Sequence, residues 1–213
     1  MEIRNIGQGE KEIWNRFVAE HYPPIGAFMQ TWEWGMFQEA LGRTVERYAV
    51  GEPNAPEAVF TLVHRTPASW FSYGYVPRGP VLRKEKSSDA HALSLFKTIG
   101  AWAREKFPRM AFLRLEPPLF SFVSNPRAHG LSTPSYYIQP RYNLVVSLDS
   151  GLDAIAATFH PTTRSNFHRA ERRGVAVEFK TDLTDAEFAE FLNMVRDTVK
   201  RNDGKNIYTD PSY

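Results

Sequence analysis

The 213-residue chain contains no cysteine. Disulfides and a cysteine nucleophile are therefore excluded, and a structural zinc site is hard to build. No apolar run approaches the ~20 residues that span a bilayer. The start, Met1-Glu2-Ile3-Arg4-Asn5, lacks the basic-then-apolar order of a signal peptide, and a reducing cytoplasm fits. There is no Gly-x-x-x-x-Gly-Lys-Ser/Thr loop and no Gly-x-Gly-x-x-Gly turn, which argues against triphosphatase and dinucleotide chemistry. A Gly-x-Ser-x-Gly elbow is missing, as is the Arg/Gln-x-x-Gly-x-Gly/Ala turn that holds coenzyme A pyrophosphate. The six histidines form no His-x-x-x-His pair, so a metal is not expected, and with the nucleotide and coenzyme A turns missing no other cofactor is expected either.

An excess of either sign of charge is also missing. The net charge is +2, so any contact with an anionic partner must come from a local patch. What the chain has is core material: 42% hydrophobic residues and 14% aromatics, enough for a packed domain.

The densest local patch is His160-Pro-Thr-Thr-Arg-Ser-Asn-Phe-His-Arg-Ala-Glu-Arg-Arg-Gly174. Thr162 or Thr163 suits a helix N-cap and Gly174 a C-terminal stop. On a helix Arg169, Arg172 and Arg173 share a face, and Arg164 and His168 form a second i, i+4 pair. A helix start beside arginines favours anions. Such a run is either a solvated basic face or a recognition helix for a phosphate or carboxylate.

The rest reads as an α/β chain with antiparallel hairpins. A short strand over 1–6 precedes a helix over 10–20 with Ile13, Trp14, Phe17 and Val18 on one face. Pro23, Pro24 and Gly26 end it. A second helix runs through Leu41 with Trp34, Phe37 and Leu41 together. Strands are expected at 45–50, 58–64, 70–73, 110–115, 143–148 and 175–179. Helices are expected at 88–107, 152–159 and, from the capping box Thr184-Asp-Ala-Glu187, beyond 184. Residues 73–80, punctuated by two glycines and two prolines, form a shaped loop that fixes Arg78. Arg114 and Glu116 alternate onto one side of their strand; they either pair with each other or face a site.

Several of these segments together resemble the Fem aminoacyltransferases, the peptidoglycan interpeptide bridge enzymes. Gln30-Thr-Trp-Glu-Trp-Gly-Met-Phe-Gln38 is similar to that family's early Gln-x-x-x-Trp segment. Tyr75-Val-Pro-Arg-Gly-Pro80 resembles its Arg/Lys-Gly-Pro loop, and Leu113-Arg-Leu-Glu-Pro117 its Arg-x-Asp/Glu-Pro strand end. Ile138 to Leu148 is similar to the strand closing its first domain, and His160 to Val175 to the basic helix that starts its second.

The resemblance implies a mixed α+β sheet of acetyltransferase-like (GNAT) type over 1–149, with a second such domain begun over 150–213 and left incomplete. It implies transfer of an amino acid from aminoacyl-tRNA to the stem-peptide amine of a UDP-linked or lipid-linked peptidoglycan precursor, with peripheral contact to the inner membrane face. It assigns Gln38, Tyr75, Arg78, Gly79, Arg114, Arg141 and Tyr213 to the acceptor groove. Relatives often carry lysine where Gln38 stands. Arg164, His168, Arg169, Arg172 and Arg173 fall to tRNA or precursor phosphate, and Glu116 is the one carboxylate nominated for proton handling. Two other readings stay open: an acyl-CoA-dependent N-acyltransferase on the same fold, and a non-catalytic RNA-binding module.

Overall fold

Ala55–Ala68, a strand of 14 residues (β3), is the axis of the first half of the chain in the computed structural model. The structure describes residues 2–22, 27–86, 88–118, 126–140 and 144–201. The chain divides into two compact units, Met1–Asn143 and Leu144–Tyr213.

In the first unit, β1 (Ile3–Asn5), β2 (Val45–Glu52), β3 and β4 (Phe71–Val76) form an antiparallel run. The short β5 (Val81–Leu82) pairs with β3, and β6 (Leu113–Leu115) closes the sheet by pairing parallel to β4. Side chains alternate across a strand, so β3 feeds two cores. Ala58, Phe60 and Leu62 join Tyr48, Val50 and Val76 under helix α3 (Asp89–Lys106), which supplies Ala92, Leu95, Phe96 and Ile99. On the opposite face Ala49, Val59 and Val81 pack with Trp14, Phe17, Val18 and Trp32 of α1 (Lys11–His21) and α2 (Trp32–Ala40). Ser88 caps α3 by accepting from the His91 N–H, as its sequence predicts.

Periodicity misplaced two helix faces. Ile13 was expected in the α1 stripe and is 63% exposed. In α2 the inward residues are Trp32, Gly35 and Gln38, not Trp34, Phe37 and Leu41. The cause is Arg47 on β2. Its guanidinium lies 4.1 Å from the centroid of the Trp32 ring and donates to the Trp32 carbonyl (3.0 Å) and Glu39 (3.1 Å). A Cβ on Gly35 would sit 2.1 Å from the Arg47 Nη2. The helix thus turns a glycine inward to make room for a buried cation.

The expected loop at 73–80 is half strand: β4 runs through to Val76, and only Pro77–Pro80 turns. The second unit contains α4 (Leu152–Thr158), α5 (Pro161–Arg172) and α6 (Asp185–Arg201). The Thr184–Glu187 capping box forms as read: the Glu187 N–H reaches Thr184 Oγ1 (3.3 Å), and the Thr184 N–H reaches Glu187 Oε2 (2.9 Å). The strands expected at 143–148 and 175–179 do not form among the described residues. Leu144 and Phe179 are 91% and 99% exposed. Apolar alternation alone does not make a strand without a partner ladder. Pro23, Pro24 and Gly26 lie outside the described residues.

Candidate functional site

Where β4 leaves the sheet, β3 loses a partner. Pairing of β3 with β4 ends at Val63–Tyr75, and pairing with β5 begins at Val59–Val81. Thr61, between them, is fully buried, and an unpaired buried N–H is costly. Gln30 fills the gap. Its Oε1 accepts from the Thr61 N–H (2.9 Å), and its Nε2 donates to the Pro77 carbonyl. Its own carbonyl accepts from Trp14 Nε1 (2.7 Å). The side-chain amide therefore stands in for a missing peptide of the ladder.

The same amide shapes the next turn. A Cβ on Gly79 would lie 2.7 Å from Gln30 Nε2 and 2.9 Å from Val76 Cγ1. Only glycine fits. Arg78 carries a φ of 50°, a left-handed backbone that is uncommon for arginine. Its side chain donates to the Pro140 carbonyl (2.8 Å).

Beside this turn, the parallel register puts Tyr75 opposite Arg114. Both are buried, and both reach Glu116. The Tyr75 hydroxyl donates to Oε2 (2.6 Å); Arg114 Nε and Nη2 donate to Oε1 (3.0 and 2.8 Å). The Ile138 N–H also donates to Oε1 (3.3 Å). Arg114 Nη2 donates to the Tyr136 carbonyl (2.7 Å), with its guanidinium 5.0 Å from the Tyr136 ring centroid. Gln139 Nε2 reaches the Tyr75 hydroxyl (3.3 Å). Burial and the neighbouring Glu116 carboxylate push the Tyr75 phenol far above its ordinary value, so it stays a donor. The network ties the end of β6 to residues 136–140.

Of the residues read from the sequence, Tyr75, Arg78, Gly79, Arg114 and Glu116 come together here. Gln38 does not: it is 4% exposed and accepts from Arg43 Nη1 through its Oε1. Arg141 and Tyr213 lie outside the described residues. The sequence reading missed Gln30, Tyr136 and Gln139. A glutamine opening an aromatic-rich, core-like segment was the available signal for Gln30, because such a residue must find buried partners.

Helix α5 forms over the expected basic stretch, with Gly174 at its end (φ 74°). Its cap is His160, whose Nδ1 accepts from the Thr162 N–H (3.3 Å), rather than either threonine. Arg164 donates to the Phe159 (2.6 Å) and Ala157 (3.2 Å) carbonyls at the end of α4. That is a cation on a helix C-terminus. His168 sits 3.5 Å from Glu171. Arg169, Arg172 and Arg173 are exposed and have no side-chain partner among the described residues. No group of three or more metal-ligating side chains occurs among the described residues. No helix among them is long and apolar enough to cross a membrane.

No protein-family model matches the chain. It is 25% identical over 208 residues to a lipid II:glycine glycyltransferase of Staphylococcus haemolyticus, covering 91% of this chain and 47% of that protein. It is 24% identical over 207 residues to the Staphylococcus aureus protein of the same name, with the same coverage. The chain thus spans about half the length of the curated relatives it matches. Among solved structures it superimposes on FemX with a TM-score of 0.65 at 21% identity, over 98% of this chain and 52% of that one. The fold is the mixed α/β sheet of FemX. Similarity to the Fem peptidoglycan bridge transferases thus extends over nearly the whole chain.

Proposed function

We propose that this chain carries the acceptor-binding part of an aminoacyltransferase that moves an amino acid from aminoacyl-tRNA to the stem-peptide amine of a lipid-linked peptidoglycan precursor. The observation that carries this reading is the similarity to lipid II:glycine glycyltransferases across 91% of the chain. The reaction is aminolysis of an ester. The amine nitrogen forms a bond to the acyl carbon, the bond to the tRNA ribose oxygen breaks, and the proton lost by the amine ends on that oxygen. The chemistry asks for alignment and for stabilisation of a developing oxyanion.

Residues 1–149 act in this reading as the first acetyltransferase-like domain, and 150–213 as the start of a second. Arg78 brings positive charge to the groove on a turn that Gln30 holds still, and Arg114, ion-paired with Glu116, fixes the neighbouring strand end. Glu116 already accepts from Tyr75, Arg114 and the Ile138 N–H. Three of those bonds load Oε1 and the fourth ties Oε2 to Tyr75, so positioning is the role its geometry favours. Arg169, Arg172 and Arg173 face RNA or precursor phosphate. The protein works in the cytoplasm, at the inner membrane face.

The test is transfer of labelled amino acids from charged tRNA to UDP-linked and lipid-linked precursor, with a staphylococcal glycyltransferase as control. Binding of both precursors is measured on the same samples. Label on the lipid-linked acceptor, or its saturable binding with loss on Arg78→Ala, supports the reading. Neither label nor precursor binding overturns it.

A further inference from the structure

The outer end of the β3–β4 hairpin plays no part in the network above. Ala68 pairs with Phe71, so Ser69 and Trp70 make a two-residue turn, and Trp70 is 84% exposed. Such turns favour asparagine, aspartate and glycine. A tryptophan there serves neither the turn nor the core. Aromatic rings continue from it: Trp70 to Phe71 at 5.7 Å, Phe71 to Phe112 at 6.0 Å, and Tyr73 stacked on Phe112 at 4.9 Å and 17°. Phe112 is 47% exposed. A contiguous exposed aromatic patch of this kind marks an interaction site.

Cations border the patch. An open cleft of about 360 Å³ is lined by Arg43, Thr44, His64, Arg65, Thr66 and Tyr73, among others. Tyr73 belongs to both cleft and patch. Glu46, the acidic neighbour here, is taken by His64 at 2.6 Å. Arg65 has no side-chain partner among the described residues. Arg109 is exposed, and its carbonyl accepts from Ser72 Oγ (3.4 Å) on β4.

An aromatic tip rimmed by arginines is the chemistry of a surface that enters the headgroup layer of an anionic bilayer. Single-stranded RNA is the competing partner, since it too stacks on aromatics beside cations. Here Tyr73 and Phe112 give their faces to each other, which leaves little platform for bases.

We propose that the β3–β4 hairpin tip docks on an anionic lipid bilayer, with Trp70, Phe71 and Phe112 at the headgroup–acyl boundary and Arg65 and Arg109 on lipid phosphates. The proposal rests on the lipid-linked acceptor reading and orients it. Tyr73 and Tyr75 share a face of β4, and the five steps from Trp70 to Tyr75 span about 17 Å of extended chain. Docking by the tip holds the Tyr75–Glu116 network within about 17 Å of the inserted Trp70.

The test is co-sedimentation of the chain with vesicles of pure phosphatidylcholine and of phosphatidylcholine mixed one-to-one with phosphatidylglycerol. Wild type should sediment with the mixed vesicles, less with the neutral ones, and less again at high salt. Trp70→Ser should weaken the partition about tenfold with an unchanged circular dichroism spectrum, and Arg65→Glu should remove the preference for the anionic lipid. Transfer to a soluble UDP-linked acceptor, measured on the same preparations, reads the enzymatic proposal separately and should not change in Trp70→Ser. Absence of wild-type sedimentation, or equal sedimentation of Trp70→Ser, overturns the docking. So does a loss of oligonucleotide binding in Trp70→Ser while vesicle binding stands, which would make the patch an RNA surface.

Discussion

The Gly79 α-carbon lies so close to the Gln30 side-chain amide that a Cβ added to it would meet Nε2 at 2.7 Å. Gly79→Ala should therefore cost about 2 kcal/mol by overpacking. Gln30→Ala should cost about 2–3 kcal/mol, because it strands the Thr61 N–H. The double variant should cost less than the sum, by about 1 kcal/mol, since the space vacated at 30 accepts the new methyl. Urea denaturation of the four proteins measures the coupling. Strict additivity would mean the two residues do not share space.

The Arg114–Glu116 pair gives a second expectation. Their side chains are 8% and 11% exposed. Removing one partner of a buried pair leaves an uncompensated charge. Arg114→Ala should destabilise by about 3–5 kcal/mol, and Arg114→Met with Glu116→Leu should recover most of that loss. Precursor binding should stay lost in the double variant, because the tie to Tyr136 is gone. Thermal melting and precursor binding, measured together, separate the two effects.

Acid should loosen the α1–α2 contact. Lys11 and then Asn15 hold the Glu33 carboxylate at about 2, against an ordinary 4.5. The depressed folded value means the stabilisation is complete above pH 4.5 and is lost as pH falls from there toward 2. Glu33 is 55% exposed at its side chain, so the effect is small and screened by salt. Melting temperature against pH should show a shallower acid limb for Glu33→Gln than for wild type, and the two should converge at high salt.

Arg169→Ala with Arg172→Ala should leave melting unchanged, because both side chains are exposed and unpartnered among the described residues. It should weaken tRNA binding and lower its salt slope by about two phosphate contacts. Arg164→Ala should do the reverse, fraying α4 with little effect on the slope. Filter binding across a salt series, beside circular dichroism, reads both.

Local signals carried much of the fold. The Ser88 cap, the Thr184–Glu187 box and the Gly174 stop are satisfied within a few residues of themselves, so they are legible in a linear chain. The failures have a common physical form. The inward face of α2 is set by Arg47, on a strand that follows it, and a hydrophobic pattern does not register a buried guanidinium. The alternation at 143–148 and 175–179 describes a surface that a strand could present, but hydrogen bonds from a neighbour make the strand. At the site, Tyr75, Arg78, Arg114 and Glu116 were visible as residue types. The bonds that define them run to Tyr136, Ile138 and Pro140, more than twenty positions downstream.

The alternation along β3 has a consequence for how this sequence tolerates change in length. Even-numbered positions 58, 60 and 62 serve α3, while odd-numbered Val59 serves α1 and α2 and Thr61 meets Gln30. Parity is therefore a stored property of the strand. Inserting or deleting one residue within β3 itself, between Ala55 and Ala58 with the turn held in place, would exchange the two cores and turn Phe60 toward the glutamine clamp. Inserting two would restore every face. Length variation confined to the exposed β2–β3 turn at Pro53 and Asn54 leaves that parity untouched, because the loop absorbs it.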